Sequence, residues 1–294
     1  MIFSGLLAYP ITPTDSDGGL DLDSLGLHVA ELAGSGVSGI SVLGSSGSFP
    51  YLNRGERALV VRTAVDAAAG LVPVIAGVSS VGTREILEHV ADAEAAGAQG
   101  VLLSTVSYHP LTDKEVLNQT RIVASSSALP ICVYQNVRAT RYEFALDVVA
   151  ELAGLPTVVG FKDNAATAGE FAARQAGLAA EVPAGFSHGL SGDLMIAAGT
   201  AATAWHSGPA AVVPELYLAV RAAVGAGDPA AVAAASARLT SLVAVLATLP
   251  KGAVLHSLAR LCGVRTGPPR LPLLPLDAAE ELTLALALEA AGIS

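Results

Sequence analysis

Two stretches, Pro130-Ile-Cys-Val-Tyr-Gln-Asn136 and Val158-Val-Gly-Phe-Lys-Asp-Asn164, decide how this chain reads. Each is a short apolar run that ends in a reactive side chain, Tyr134 in the first and Lys162 in the second. The chain has three lysines, Lys114, Lys162 and Lys251, and Lys162 alone closes a run that reads as a buried strand. A lysine is rarely placed there without a partner or a task, because burying an ammonium costs several kcal/mol of hydration. Taken alone, Lys162 would be a snorkelling side chain or the partner of Asp163.

Working outward, apolar runs of strand length recur along most of the chain. They are Gly5–Ile11, Gly39–Leu43, Pro73–Val78, Gly100–Ser104, Pro130–Tyr134, Val158–Lys162, Pro183–Phe186 and Ala201–His206. Most are continuous rather than alternating, as parallel strands covered by helices require. Asn53-Arg-Gly-Glu56 and Thr112-Asp-Lys-Glu115 are capping boxes ahead of helical segments, and Gly97 and Gly154 stand where helices should stop. Eight strand–helix units predict a (β/α)8 TIM barrel over residues 1–225. A doubly wound open sheet is the alternative, but no Gly-x-Gly-x-x-Gly follows the first strand. Gly225-Ala-Gly-Asp-Pro229 marks a break, after which residues 226–294 read as a helical region packed on the barrel or against another subunit.

Composition narrows the function. The formal net charge is −10 with no basic cluster, which argues against nucleic acid and anionic membranes as partners. The longest apolar region, Leu194 to Pro214, is interrupted by Gly199, His206, Gly208 and Pro209, so it does not read as a membrane span. Cys132 and Cys262 are too few for a disulfide scaffold, and with no basic stretch before Arg54 the chain reads as cytoplasmic. Six histidines show no paired ligand spacing, so neither a metal nor an organic cofactor is expected.

In a barrel of this kind the chemistry sits at the C-terminal ends of the strands. The polar residues there are Gly44-Ser-Ser-Gly-Ser48, Ser107-Tyr108-His109, Tyr134-Gln-Asn136, Lys162-Asp-Asn164, Ser187-His188 and Trp205-His206-Ser207. Tyr134 and Lys162 are one βα unit apart and fall on neighbouring strands, about 4.8 Å from each other. Desolvation lowers a lysine from its ordinary pKa of about 10.4 and frees the amine to attack a carbonyl. A nearby phenol can relay protons, and the Gly-Ser-Ser-Gly turn offers N–H groups and hydroxyls to a carboxylate.

Gly44-Ser-Ser-Gly-Ser-Phe-Pro-Tyr-Leu52, Tyr134-Gln-Asn136 and Gly160-Phe-Lys162 resemble the dihydrodipicolinate synthase/N-acetylneuraminate lyase family of class I aldolases. The resemblance covers nearly the whole chain. It implies a Schiff base between Lys162 and pyruvate or a related 2-oxo acid, with Tyr134 as proton relay. It also implies Ser45, Ser46 and Gly47 at the substrate carboxylate, and Tyr108 lent across a subunit interface to a relay with Ser46 and Tyr134. The assembly it implies is a homo-oligomer, a dimer of dimers. An aldehyde is the implied second partner; aldolase and sugar-acid dehydratase chemistry both remain open, as does a degenerate barrel that binds a 2-oxo acid as a sensor.

Departures from the family pattern fall beyond the imine residues. Ser48 stands where dihydrodipicolinate synthases carry Glu, Val137 replaces the usual proline, and Ala139 takes the place of the arginine that binds the second substrate. Arg138 and Arg141 flank that position, and Arg138, His188 and His206 are the further candidates for substrate binding.

Overall fold

The computed structural model describes residues 1–293. Eight parallel strands close into a barrel in the order β1-β2-β3-β4-β5-β6-β7-β8. They are β1 Gly5–Ala8, β2 Gly39–Val42, β3 Val74–Gly77, β4 Gly100–Ser104, β5 Ile131–Tyr134, β6 Val158–Asp163, β7 Ser187–Leu190 and β8 Ala204–Ser207. The closing seam pairs β1 with β8, where Leu7 stands opposite His206. The chain folds as a (β/α)8 TIM barrel followed by C-terminal helices.

The helices of the barrel are α1 Leu22–Gly34, α2 Arg54–Ala68, α3 Thr83–Ala95, α4 Asp113–Ala124, the one-turn α5 Val137–Thr140, α6 Leu146–Ala153, α7 Ala168–Leu178, the short α8 Asp193–Ala197 and α9 Pro214–Ala226. Both expected capping boxes form, Asn53 with Glu56 and Thr112 with Glu115. Each satisfies two N–H groups that a helix start leaves unpaired. Helix α3 ends just before Gly97, whose φ of +86° suits glycine, and Gly154 caps α6.

Three more helices follow: α10 Pro229–Thr248, α11 Lys251–Leu261 and α12 Ala278–Ala290. By length and composition α10 is apolar enough to cross a membrane. Here it packs against α8, α9 and α12.

Strand alternation divides the core in two. One set of side chains, including Leu6, Ile40, Val74, Val101, Val133 and Phe161, faces the helices. The other set, Phe3, Leu7, Tyr9, Ile75, Leu102, Cys132, Tyr134 and Ala204, fills the barrel interior. Lys162 belongs to the interior set by register, since it pairs with Tyr134.

One strand departs from the sequence reading. The seventh lies at Ser187–Leu190 rather than at Pro183–Phe186. Ser-His-Gly-Leu has weak strand propensity, but pairing with β6 and β8 on both sides overrides it. The apolar Phe186 lies just before the strand and packs against the core from there.

Candidate active site

Lys162 is 5% exposed, and its Nζ lies 3.7 Å from the ring centroid of Tyr9 and 4.0 Å from that of Tyr134. Two aromatic faces thus enclose the amine. Burial moves its pKa from 10.5 down to about 7, while nearby Cys132 and Asp193 act weakly the other way. Desolvation wins because water, the better stabiliser of an ammonium, is excluded. A substantial fraction of the amine is therefore neutral and nucleophilic near pH 7.

Asp163 does not neutralise Lys162. Its carboxylate lies on the opposite face of β6 and accepts hydrogen bonds from Gln135 Nε2 at 3.1 Å and Arg174 Nη1 at 2.8 Å, with His188 Nε2 at 3.0 Å. This buried network ties β5, β6, β7 and α7 together behind the lysine.

Tyr134 is buried, and desolvation raises its phenol pKa, so it holds its proton at neutral pH. The neighbouring side chains of Ser191, Ser45 and Asn136 partly offset that rise. Of the two turn serines it is Ser45, not Ser46, that acts on the phenol. Ser46 turns instead to β8, where its Oγ sits 2.6 Å from the place a Cβ on Gly208 would occupy.

The Gly44–Ser48 turn is held in a strained form. Leu43 at φ +58° and Ser48 at φ +54° bracket it, both in the left-handed region that bulky side chains avoid. The N–H groups of Gly47 and Ser48 donate back to the carbonyls of Gly44 and Ser45, and the Gly47 carbonyl accepts from Thr12 Oγ1 at 2.8 Å. Gly47 is thus spent on the turn, which leaves Ser45 and Ser46 as its groups for a ligand.

The two histidine candidates separate. His188 is the second residue of β7 and points outward, stacked on Phe161 at 5.5 Å and tilted against Phe171 at 4.5 Å. The sequence reading placed it at a strand end, hence in the pocket; with the strand displaced by four residues, the alternation sends it under α7 instead. His206 does face inward, where its Nδ1 bonds the Tyr9 hydroxyl at 2.7 Å. Burial, and then the charge of Lys162, push its pKa well below the ordinary value, so it is neutral.

Two residues near the lysine were not singled out from sequence. Tyr9 lies inside the first apolar run and resembles an ordinary core aromatic. Asp193 opens α8 and accepts from Ser207 Oγ at 2.5 Å and Tyr217 OH at 2.7 Å. Its charge interacts with Lys162 and Lys251, yet burial still raises its pKa. The misplaced seventh strand hid Ser191 and Asp193, because it assigned its strand-end positions to residues before them.

The outer candidates lie at the rim. Arg138 is exposed on α5; burial first, and then the Arg138 charge, lower the pKa of Lys251 at the start of α11. Tyr108 is 83% exposed and meets His109 edge-on at 5.1 Å; among the described residues its hydroxyl makes no hydrogen bond. Within one chain, then, Tyr108 is apart from Lys162.

A barrel with a desolvated lysine on β6 and a tyrosine beside it on β5 has clear relatives. The Dihydrodipicolinate synthetase family matches residues 2–291. This chain belongs to that family. Among curated relatives, an uncharacterized DapA-like lyase of Halobacterium salinarum is 32% identical over 93% of this chain and 89% of its own. The 4-hydroxy-tetrahydrodipicolinate synthase of Nitrosospira multiformis is 33% identical over 98% of this chain and 96% of its own. The crystal structure of a dihydrodipicolinate synthase from Agrobacterium tumefaciens superposes with a TM-score of 0.93, at 32% identity and 98% coverage of both chains. The family comprises Schiff-base lyases of the class I aldolase type, and identities near 32% make this chain a divergent member.

Proposed function

We propose that this protein is a Schiff-base lyase acting on pyruvate or a related 2-oxo acid. The observation that carries the reading is the buried Lys162 amine, held between two tyrosine faces with a pKa near 7. The neutral amine attacks the keto carbon, and a proton passes from the nitrogen to the carbonyl oxygen, relayed by the Tyr134 hydroxyl, to give a carbinolamine. Loss of that hydroxyl as water, with a proton from Tyr134, leaves a protonated imine. The cationic nitrogen then accepts the electron pair released when a bond at the neighbouring carbon breaks. In the reverse sense, the enamine adds to an aldehyde.

Ser45 and Ser46 receive the substrate carboxylate with their backbone N–H groups and hydroxyls. Ser45 also acts on the Tyr134 phenol, which supports a side chain shared by the carboxylate site and the proton relay. Arg138 meets the distal part of a substrate in this reading, which its exposure on α5 supports. Tyr108 joins the relay only from a second chain of a homo-oligomer, which its exposure in one chain supports.

The test is to incubate the protein with pyruvate and a panel of 2-oxo acids, reduce with borohydride, and map adducts by mass spectrometry. An adduct on Lys162 is expected. Its absence with every 2-oxo acid would overturn the reading, and an adduct without turnover of any aldehyde would favour a sensor.

A further inference from the structure

The wall of the lysine chamber opposite Tyr134 is made by residues the imine chemistry above does not use. Tyr9 and His206 are each 2% exposed; Tyr9 directly follows β1 and His206 lies on β8, which pairs with β1 at the seam. The Tyr9 hydroxyl and His206 Nδ1 are 2.7 Å apart, with the rings 5.8 Å apart and tilted by 52°. That bond fixes the Tyr9 ring with its face 3.7 Å from Lys162 Nζ. His206 Nε2 is buried with no hydrogen-bond partner, lying 2.2 Å from where a Cβ on Gly189 would be. Only glycine at 189 leaves room for the ring.

We propose that Tyr9, anchored by His206, is a positioning residue for Lys162, its ring keeping water off the amine and fixing the direction in which the nitrogen meets a carbonyl. Resting on the Schiff-base reading, this deepens it and reassigns His206 from substrate binding to support. A ring face suits both stages of the reaction. It removes hydration from the neutral amine, and its quadrupole still accommodates the positive charge of the imine that follows.

The amine is faced by Tyr9 just after β1, Cys132 and Tyr134 from β5, Asp193 from α8 and His206 from β8. Asp193 and a Cys132 thiolate would raise its basicity, whereas the buried rings lower it. Burial pushes the Cys132 thiol up to about 12, so at neutral pH this group carries no charge.

The experiment needs no 2-oxo acid. Trace acetylation with acetic anhydride across a pH series, quantified by mass spectrometry for each lysine peptide, reads the titration of Lys162 directly. In the unaltered protein the midpoint is expected near 7. Tyr9→Leu admits water and should raise it by about one pH unit or more. Tyr9→Met serves the same purpose should the leucine variant fail to fold, as judged by circular dichroism.

Tyr9→Phe keeps the ring and loses the anchor, so a smaller shift is expected. Adding His206→Leu to Tyr9→Phe should shift it no further, because the histidine acts through the bond already lost. A midpoint unmoved by loss of the ring, or an unaltered protein whose Lys162 titrates near the ordinary 10.5, overturns the proposal. A low midpoint that depends on Tyr9 but no adduct with any 2-oxo acid would uphold the chamber and reject the lyase reading.

Discussion

The two walls around Lys162 differ in how they arise. The β5–β6 wall joins neighbours in sequence, Tyr134 and Lys162 pairing directly across adjacent strands. The β1–β8 wall joins Tyr9 to His206 across 197 positions, and it exists only because the barrel closes. The first wall carries the groups that would exchange protons and bonds with a substrate. The second sets the medium in which they act. Motif reading finds chemistry more readily than medium, since a desolvating ring has no signature beyond being aromatic.

The sharpest test of the first wall is Lys162→Ala, for which borohydride trapping should fall to background while circular dichroism stays unchanged. Retained adduct elsewhere in the barrel would reverse the assignment of the nucleophile. Tyr134→Phe keeps the ring over the amine but removes the relay, so the rate of imine formation should drop about 10²- to 10⁴-fold. Stopped-flow measurement would check it, and a change within threefold, roughly the scatter of such comparisons, would show that another group moves the proton.

The second wall is probed by pH and by volume. The Lys162 pKa of about 7 lies below its ordinary 10.5, so the unfolded chain binds the extra proton between those values. The stability contributed by this group therefore rises with pH across that window, and below pH 7 the full cost of burying a charge remains. Lys162→Met should remove this slope and raise the melting temperature at neutral pH, as thermal scans from pH 6 to pH 9 would show. Gly189→Ala should cost about 1–3 kcal/mol, because its methyl would displace His206. A neutral Gly189→Ala in urea denaturation would mean that the seam yields easily. The smallest expected effect on chemistry is that of His188→Leu. It loses the bond to Asp163, for about 1–3 kcal/mol of stability, and leaves borohydride trapping intact.

How far the sequence could be read follows the same division. Continuous apolar runs with capping boxes between them disclose a parallel barrel, since local hydrogen bonding and burial specify both features. Lys162, Tyr134 and the turn at Gly44–Ser48 are visible because polar groups at the ends of apolar runs need a reason. The seventh strand is not visible, since Ser-His-Gly-Leu becomes a strand only between β6 and β8. From that one displacement come the outward turn of His188 and the concealment of Ser191 and Asp193. The split between Ser45 and Ser46 was equally hidden, being set by the strained Leu43 and Ser48 rather than by residue type.

The seam between β1 and β8 also bears on the life of the chain before it is finished. Tyr9 is made early and His206 only after two thirds of the protein has been synthesised. Until β8 docks on β1 the wall made by Tyr9 and His206 is missing, and Lys162 is expected to keep the basicity of a hydrated lysine and its proton in a neutral medium. An incomplete chain is thus expected to be inert toward the carbonyl compounds of its surroundings. Reactivity is acquired in the same step that completes the fold.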